Sequence, residues 1–76
     1  MRATTLAGEI ARRGLTQEQA AVLGGVRPST INRIVAGKVR ARPSTIVNLA
    51  KALGIAATRM QAMCEAHYLA AHPDER

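Results

Sequence analysis

At 76 residues, with eleven Lys and Arg against five Asp and Glu, the chain carries a formal charge of +6 and a sequence pI near 11.2. Hydrophobic residues make up 47% of it, but fifteen are alanines and Tyr68 is the single aromatic, which leaves 21 larger apolar side chains for a core. A chain of this length buries only about 60–65% of its unfolded surface, which excludes a multidomain enzyme and a deep substrate pocket.

The pattern is helical throughout, with no alternating Val/Ile run long enough for a strand. A first helix is expected from Thr4 or Thr5 to Arg13, with Leu6 and Ile10 on one face and Gly14 as its stop. Thr16 with Gln19 three residues on is a capping box, so a second helix starts at Gln17. It runs to about Leu23 with Ala20, Ala21 and Leu23 inward, and Gly24-Gly25 end it in a tight turn. A third helix is expected from Pro28 to about Ala36, with Ile31, Ile34 and Val35 as its apolar stripe. The basic loop Lys38-Val39-Arg40-Ala41-Arg42 follows. A fourth helix spans Pro43 to Leu53, burying Ile46, Leu49, Ala50 and Leu53. A fifth, from about Ala57 to Ala71, turns Met60, Met63 and Cys64 inward, with His67 or Tyr68 beside them. The expectation is an all-α, five-helix single domain over residues 1–72, with a frayed tail at 73–76.

The charge is uneven along this framework. Between Glu18 and Glu65 there is no acid, and that interval carries Arg27, Arg33, Lys38, Arg40, Arg42, Lys51 and Arg59. Solvated helix surfaces ordinarily mix signs, so a one-signed stretch suits a polyanion better than water alone. The segment Arg27-Pro28-Ser29-Thr30-Ile31 recurs as Arg42-Pro43-Ser44-Thr45-Ile46. Both copies mark helix starts, with Pro at the first helical position and Arg where a Ser, Thr, Asp or Asn cap normally stands. Amides left without a cap there suit an anion.

Other signals have blander readings. A single cysteine excludes an internal disulfide framework and points to a reducing, cytoplasmic setting. Met1-Arg2-Ala3-Thr4-Thr5 leads into an amphipathic segment carrying Glu9, not an apolar leader, and no apolar run reaches the roughly 20 residues needed to cross a bilayer. Cys64, His67 and His72 give a C-x2-H-x4-H spacing, but no fourth ligand accompanies them, so no metal site and no cofactor are assigned. The carboxylates are scattered and no Ser/His/Asp or Cys/His set assembles, so the chain is not read as an enzyme.

Two short helices joined by a Gly turn, the second followed by a basic loop, form a helix-turn-helix over about residues 17–36. Ala21 is small where the two helices cross, Gly25 supplies the turn, and Val26, Ile31 and Ile34 plug the angle between them. The run Leu15-Thr16-Gln17, Ala21, Gly25-Val26, Ser29-Thr30-Ile31, Ile34 and Gly37-Lys38, leading to Asn48-Leu49-Ala50-Lys51-Ala52-Leu53-Gly54-Ile55, resembles the Cro/CI-type (xenobiotic-response-element) helix-turn-helix family. The resemblance spans roughly Leu6 to Ile55 without a gap.

It implies a five-helix lambda-repressor-like domain that binds double-stranded DNA sequence-specifically, with the third helix in the major groove. Carried over position by position, it implies base contacts from Arg27, Pro28, Ser29, Asn32 and Arg33. It implies phosphate contacts from Gln17, Thr30, Lys38, Arg40 and Arg42. A single module covers little DNA, so a homodimer on a palindromic operator is expected, with Met60, Met63, Tyr68 and Leu69 as its interface. The simplest role is a small Cro-like phage repressor, and the Ala/Arg-rich composition suggests a GC-rich genome. The alternatives are a DNA-binding antitoxin of a toxin–antitoxin pair, with a toxin as partner, and a protein–protein module that binds no DNA. The sequence departs from the family at Pro28, where relatives often place a polar base reader, at Val22, where a charge is common, and at Gly24, where a larger apolar residue is common.

Overall fold

A computed structural model describes residues 5–75, which contain five α-helices, a final 3-10 turn and no strand. The helices are α1 (Leu6–Arg12), α2 (Gln17–Gly24), α3 (Pro28–Val35), α4 (Pro43–Leu53) and α5 (Ala57–Ala71). Thr5 caps α1, accepting from the Gly8 amide at 3.1 Å; the alternative start at Thr4 lies outside the described residues. Thr16 and Gln19 close a reciprocal capping box at α2, with bonds of 3.0 and 2.8 Å.

Four turns share one device. The amide after the turn glycine donates back five residues: Leu15 to Ile10, Val26 to Ala21, Lys38 to Arg33 and Ile55 to Ala50, at 2.9 to 3.1 Å. This is the Schellman closure, in which the donating residue usually adds an apolar contact. Leu15, Val26 and Ile55 do so, packing on the core. The exception follows α3, where that position holds the exposed Lys38.

In the core, α4 packs on α2 and α5, α3 packs on α2 and α5, and α1 bridges α2 and α5. Leu6, Ile10, Ile31, Ile34, Leu49, Leu53 and Met60 are buried together at its centre, and each such side chain contributes about 1.5–3 kcal/mol. One expectation fails on α2. Leu23 is 58% exposed, and Gly24 takes the inner position. A Cβ on Gly24 would lie 2.8 Å from Leu49 Cδ2, so the glycine lets α2 and α4 approach closely. At the other end of the chain, Pro73–Glu75 forms a 3-10 turn where a frayed tail was expected.

Met60 and Met63 are 0% and 2% exposed, so both belong to the interior of one subunit and present nothing to a partner. Their assignment to a dimer interface is therefore corrected. Apolar residues on a helix look alike in sequence whether they face a core or a neighbour. Tyr68 and Leu69 are half-buried.

Glu9 is also fully buried. Its carboxylate meets Arg12 at 2.6 Å, Arg13 at 2.6 Å and Arg59 at 3.9 Å. Hydrogen bonds from Arg12, then Arg13, outweigh burial and bring its pKa from 4.5 down to about 2. A folded-state pKa below the unfolded value stabilises the fold above pH 4.5, and that contribution is lost as pH falls toward 2. Thermal melts between pH 6 and pH 2.5 are expected to show this acid limb, and Glu9→Gln is expected to flatten it. A limb of unchanged steepness in that variant would assign the acid sensitivity to other groups.

Candidate nucleic-acid interface

Ile31 and Ile34 bury the inner side of α3, which leaves Ser29, Asn32 and Arg33 exposed in the i, i+3, i+4 pattern of one helical face. Arg27 and Pro28 stand exposed at the start of the same helix. The stripe is held rigidly because the two isoleucines and the half-buried Val26 wedge α3 against the core. Its short polar and cationic side chains supply both hydrogen-bond donors and acceptors to a ligand lying along the helix.

Beside the stripe lies a cleft of about 460 Å³ between α3, the loop after it and the start of α4. Arg27, Arg33, Arg40 and Arg42 border it, together with Thr30 and Ser44. Neither α3 nor α4 has a side-chain cap: Arg27 and Arg42 occupy the cap positions and make no such hydrogen bond. The first-turn amides and the arginines therefore present positive potential from the same side, which suits an anion. Gln17 is half-buried at the first position of α2.

Ion pairing sharpens the charge distribution. Arg12, Arg13 and Arg59 are offset by Glu9, and Arg40 by Glu65 at 3.5 Å. Among the described residues, Arg27, Arg33, Lys38 and Arg42 have no acidic partner. Of these, Arg33 lies in the α3 stripe, Arg27 precedes it and Lys38 and Arg42 follow it; Lys51 on α4 is likewise without an acidic partner.

One expected contact residue is engaged within the fold, although its side chain stays 53% exposed. Arg40 is turned toward α5, where its guanidinium carbon lies 4.4 Å from the Tyr68 ring centroid. Tyr68 stacks on His72 with centroids 4.2 Å apart, and His72 Nε2 lies 3.0 Å from the Gly37 carbonyl. Sequence reading missed this cluster. The signal available was the spacing of Glu65, Tyr68 and His72, which puts all three on one face of α5.

The C-x2-H-x4-H residues go to three different places. Cys64 is in the core, where burial pushes its thiol up to about 11. His67 Nε2 accepts from the Ala7 amide at 3.1 Å, with burial lowering its pKa, and His72 meets Gly37. Among the described residues no three His, Cys, Asp or Glu side chains are grouped as a metal would require. Among them, too, no helix is long and apolar enough to cross a membrane.

A family model described as Helix-turn-helix matches residues 9–59, which takes in everything from Glu9 on α1 to the first turn of α5. No curated protein and no solved structure matches the chain.

Proposed function

The chain belongs to the Cro/CI-type helix-turn-helix family of DNA-binding transcriptional regulators, and on that premise we propose that it is a repressor that binds a palindromic operator as a homodimer, with α3 in the major groove. It acts by occupying DNA, without catalysis. The observation that carries this reading is the exposed Ser29, Asn32 and Arg33 stripe between cations that have no acidic partner.

In this reading Arg33 takes guanine O6 and N7 as a bidentate pair, and Asn32 takes adenine N6 and N7. Arg27 reaches a base or the adjacent phosphate, Ser29 reaches a base edge, and Pro28 offers a thymine methyl its ring. Lys38, Arg42, Thr30 and Gln17 hold phosphates and set the register without reading sequence. Two subunits are needed because one α3 covers only a half-site. With Met60 and Met63 inside the fold, and Tyr68 stacked between Arg40 and His72 of its own subunit, Leu69 is what remains of the expected contact on α5.

Selection of bound fragments from a random pool, followed by gel shift at 50 and 200 mM salt, tests the reading. A dimer whose Arg27, Lys38 and Arg42 neutralise about six phosphates is expected to lose affinity by a factor on the order of 10³ over that range. The selected sites should be palindromic. A change below about tenfold, or no enriched sequence, removes the DNA reading and leaves a protein–protein module.

Two side chains separate the contact classes. Arg33→Ala is expected to cost about 1–3 kcal/mol and to relax preference at one base position. Lys38→Ala is expected to weaken all sequences alike and lower the salt slope by about one per subunit, about two for the dimer. Binding measured on the operator and on each single-base variant of it checks both, and a uniform loss for Arg33→Ala moves that residue to the backbone.

One observation favours a second role for the same DNA-binding chain. Val22 and Leu23 are 71% and 58% exposed and share a shallow recess with Leu15. An antitoxin needs such an apolar surface for its toxin. Co-purification of a neighbouring gene product that is lost with Val22→Glu, while operator binding persists, supports that role.

A further inference from the structure

The loop after α3 is gripped by α5 at two points, and we infer that Arg40 is a positioning residue that fixes this loop, not one of the cations that touch DNA. The inference rests on the reading that Lys38 and Arg42 face the DNA backbone. At the start of the loop, the Gly37 carbonyl accepts from His72 Nε2 at 3.0 Å, since a carbonyl can only accept. Near its end, the Arg40 guanidinium lies 4.4 Å from the Tyr68 ring centroid, with Nη2 3.5 Å from Glu65. Tyr68 and His72 are themselves stacked, 4.2 Å apart at 19°, so the two grips form one continuous unit on α5. The Gly37 backbone also lies hard against this helix: a Cβ there would be 2.6 Å from the His67 carbonyl oxygen.

The exposed Lys38 and Val39 sit between these two anchors, and Arg42 follows the second after Ala41. With one face on the Tyr68 ring and Nη2 beside Glu65, the guanidinium has part of its surface and donor set committed to α5. Kept in place, it orders the loop before DNA arrives, which lowers the entropy lost when Lys38 and Arg42 engage. Glu65, Tyr68 and His72 thereby act on DNA binding without contacting DNA.

The experiment is a double-mutant cycle on operator affinity and its salt slope, with Arg40→Ala, Tyr68→Ala and the pair, alongside Arg40→Lys and Tyr68→Phe. Arg40→Ala and Tyr68→Ala are each expected to weaken binding about three- to tenfold, with the pair no worse than the weaker-binding single, because the two act as a unit. Arg40→Lys keeps the charge but loses the planar stack, so it should resemble Arg40→Ala; Tyr68→Phe keeps the ring under the guanidinium and should bind more tightly than Tyr68→Ala. Salt slopes should stay within about half a unit of the parent's. A phosphate contact predicts the opposite set: a slope reduced by about two for Arg40→Ala in the dimer, near-parental binding for Arg40→Lys, and additive effects.

Amide hydrogen exchange in the free chain provides a readout that needs no DNA. Exchange at Lys38 and Val39 should accelerate in Arg40→Ala and Arg40→Lys but not in Tyr68→Phe; unchanged exchange in both Arg40 variants overturns the inference. If Tyr68→Ala does not fold, the two Arg40 variants and Tyr68→Phe still decide it. A parent chain that fails to bind DNA defeats the functional reading, and exchange then judges the loop by itself.

Discussion

Gly37→Ala is expected to destabilise the fold by about 2–5 kcal/mol, from a left-handed backbone penalty of about 1–2 and an overpacking penalty of about 1–3. The residue has φ +75°, and a Cβ there would stand 2.5 Å from Ala71 Cβ and 2.6 Å from the His67 carbonyl oxygen. Neither neighbour is the movable end of a long side chain, so the C-terminal part of α5 has to shift. Gly54→Ala is the control: φ is +65° but nothing lies within 4 Å of the added methyl, so only the backbone penalty applies. A domain of this length is stable by only about 4–11 kcal/mol. Chemical denaturation should therefore show a far lower midpoint for Gly37→Ala than for Gly54→Ala. Equal losses for the two would mean that α5 yields without cost. Because Gly37 joins α3 to the basic loop, operator affinity should fall further than the unfolded fraction explains.

What could be read from the chain was what nearby residues decide. The capping box at Thr16 and Gln19, proline at the first position of α3 and α4, and the glycine after each of the first four helices are local signals, and the helices begin and end within a residue or two of where those signals stand. The α3 stripe was legible for the same reason, since Ile31 and Ile34 fix which side faces inward and so which side carries Asn32 and Arg33. The choice between Leu23 and Gly24 was not local. It depends on how near α4 comes to α2, and Leu49 decides it from 25 positions away.

Charge showed the same division. Arg12 and Arg13 lie three and four residues from Glu9, so their pairing is a helix-spacing argument; Arg59 joins only after α5 has docked. Arg40 read as one more cation of the loop, because nothing near it in sequence distinguishes it from Lys38 or Arg42. Its partners Glu65 and Tyr68 lie on another helix. The electrostatic footprint is therefore narrower than the composition: among the described residues, Arg27, Arg33, Lys38 and Arg42 stand without an acidic partner on α3 and the loop after it, and Lys51 does so on α4.

Met60→Ala is expected to cost about 2–5 kcal/mol, the range for truncating a buried methionine and leaving a cavity. The side chain is fully buried and joins the cluster formed with Leu6, Ile31, Leu49 and Leu53, so its loss is felt within one subunit. The denaturation midpoint should drop by the same amount at every protein concentration. Met60→Leu nearly conserves volume and should cost less than about 1.5 kcal/mol. An interface methionine behaves differently: truncation weakens association, and raising the concentration restores stability. That second pattern would return Met60 to the dimer surface. The first leaves the operator-bound dimer to form without it, so the folded fraction of Met60→Ala should keep the base preference and salt slope of the parent while the temperature range of binding contracts.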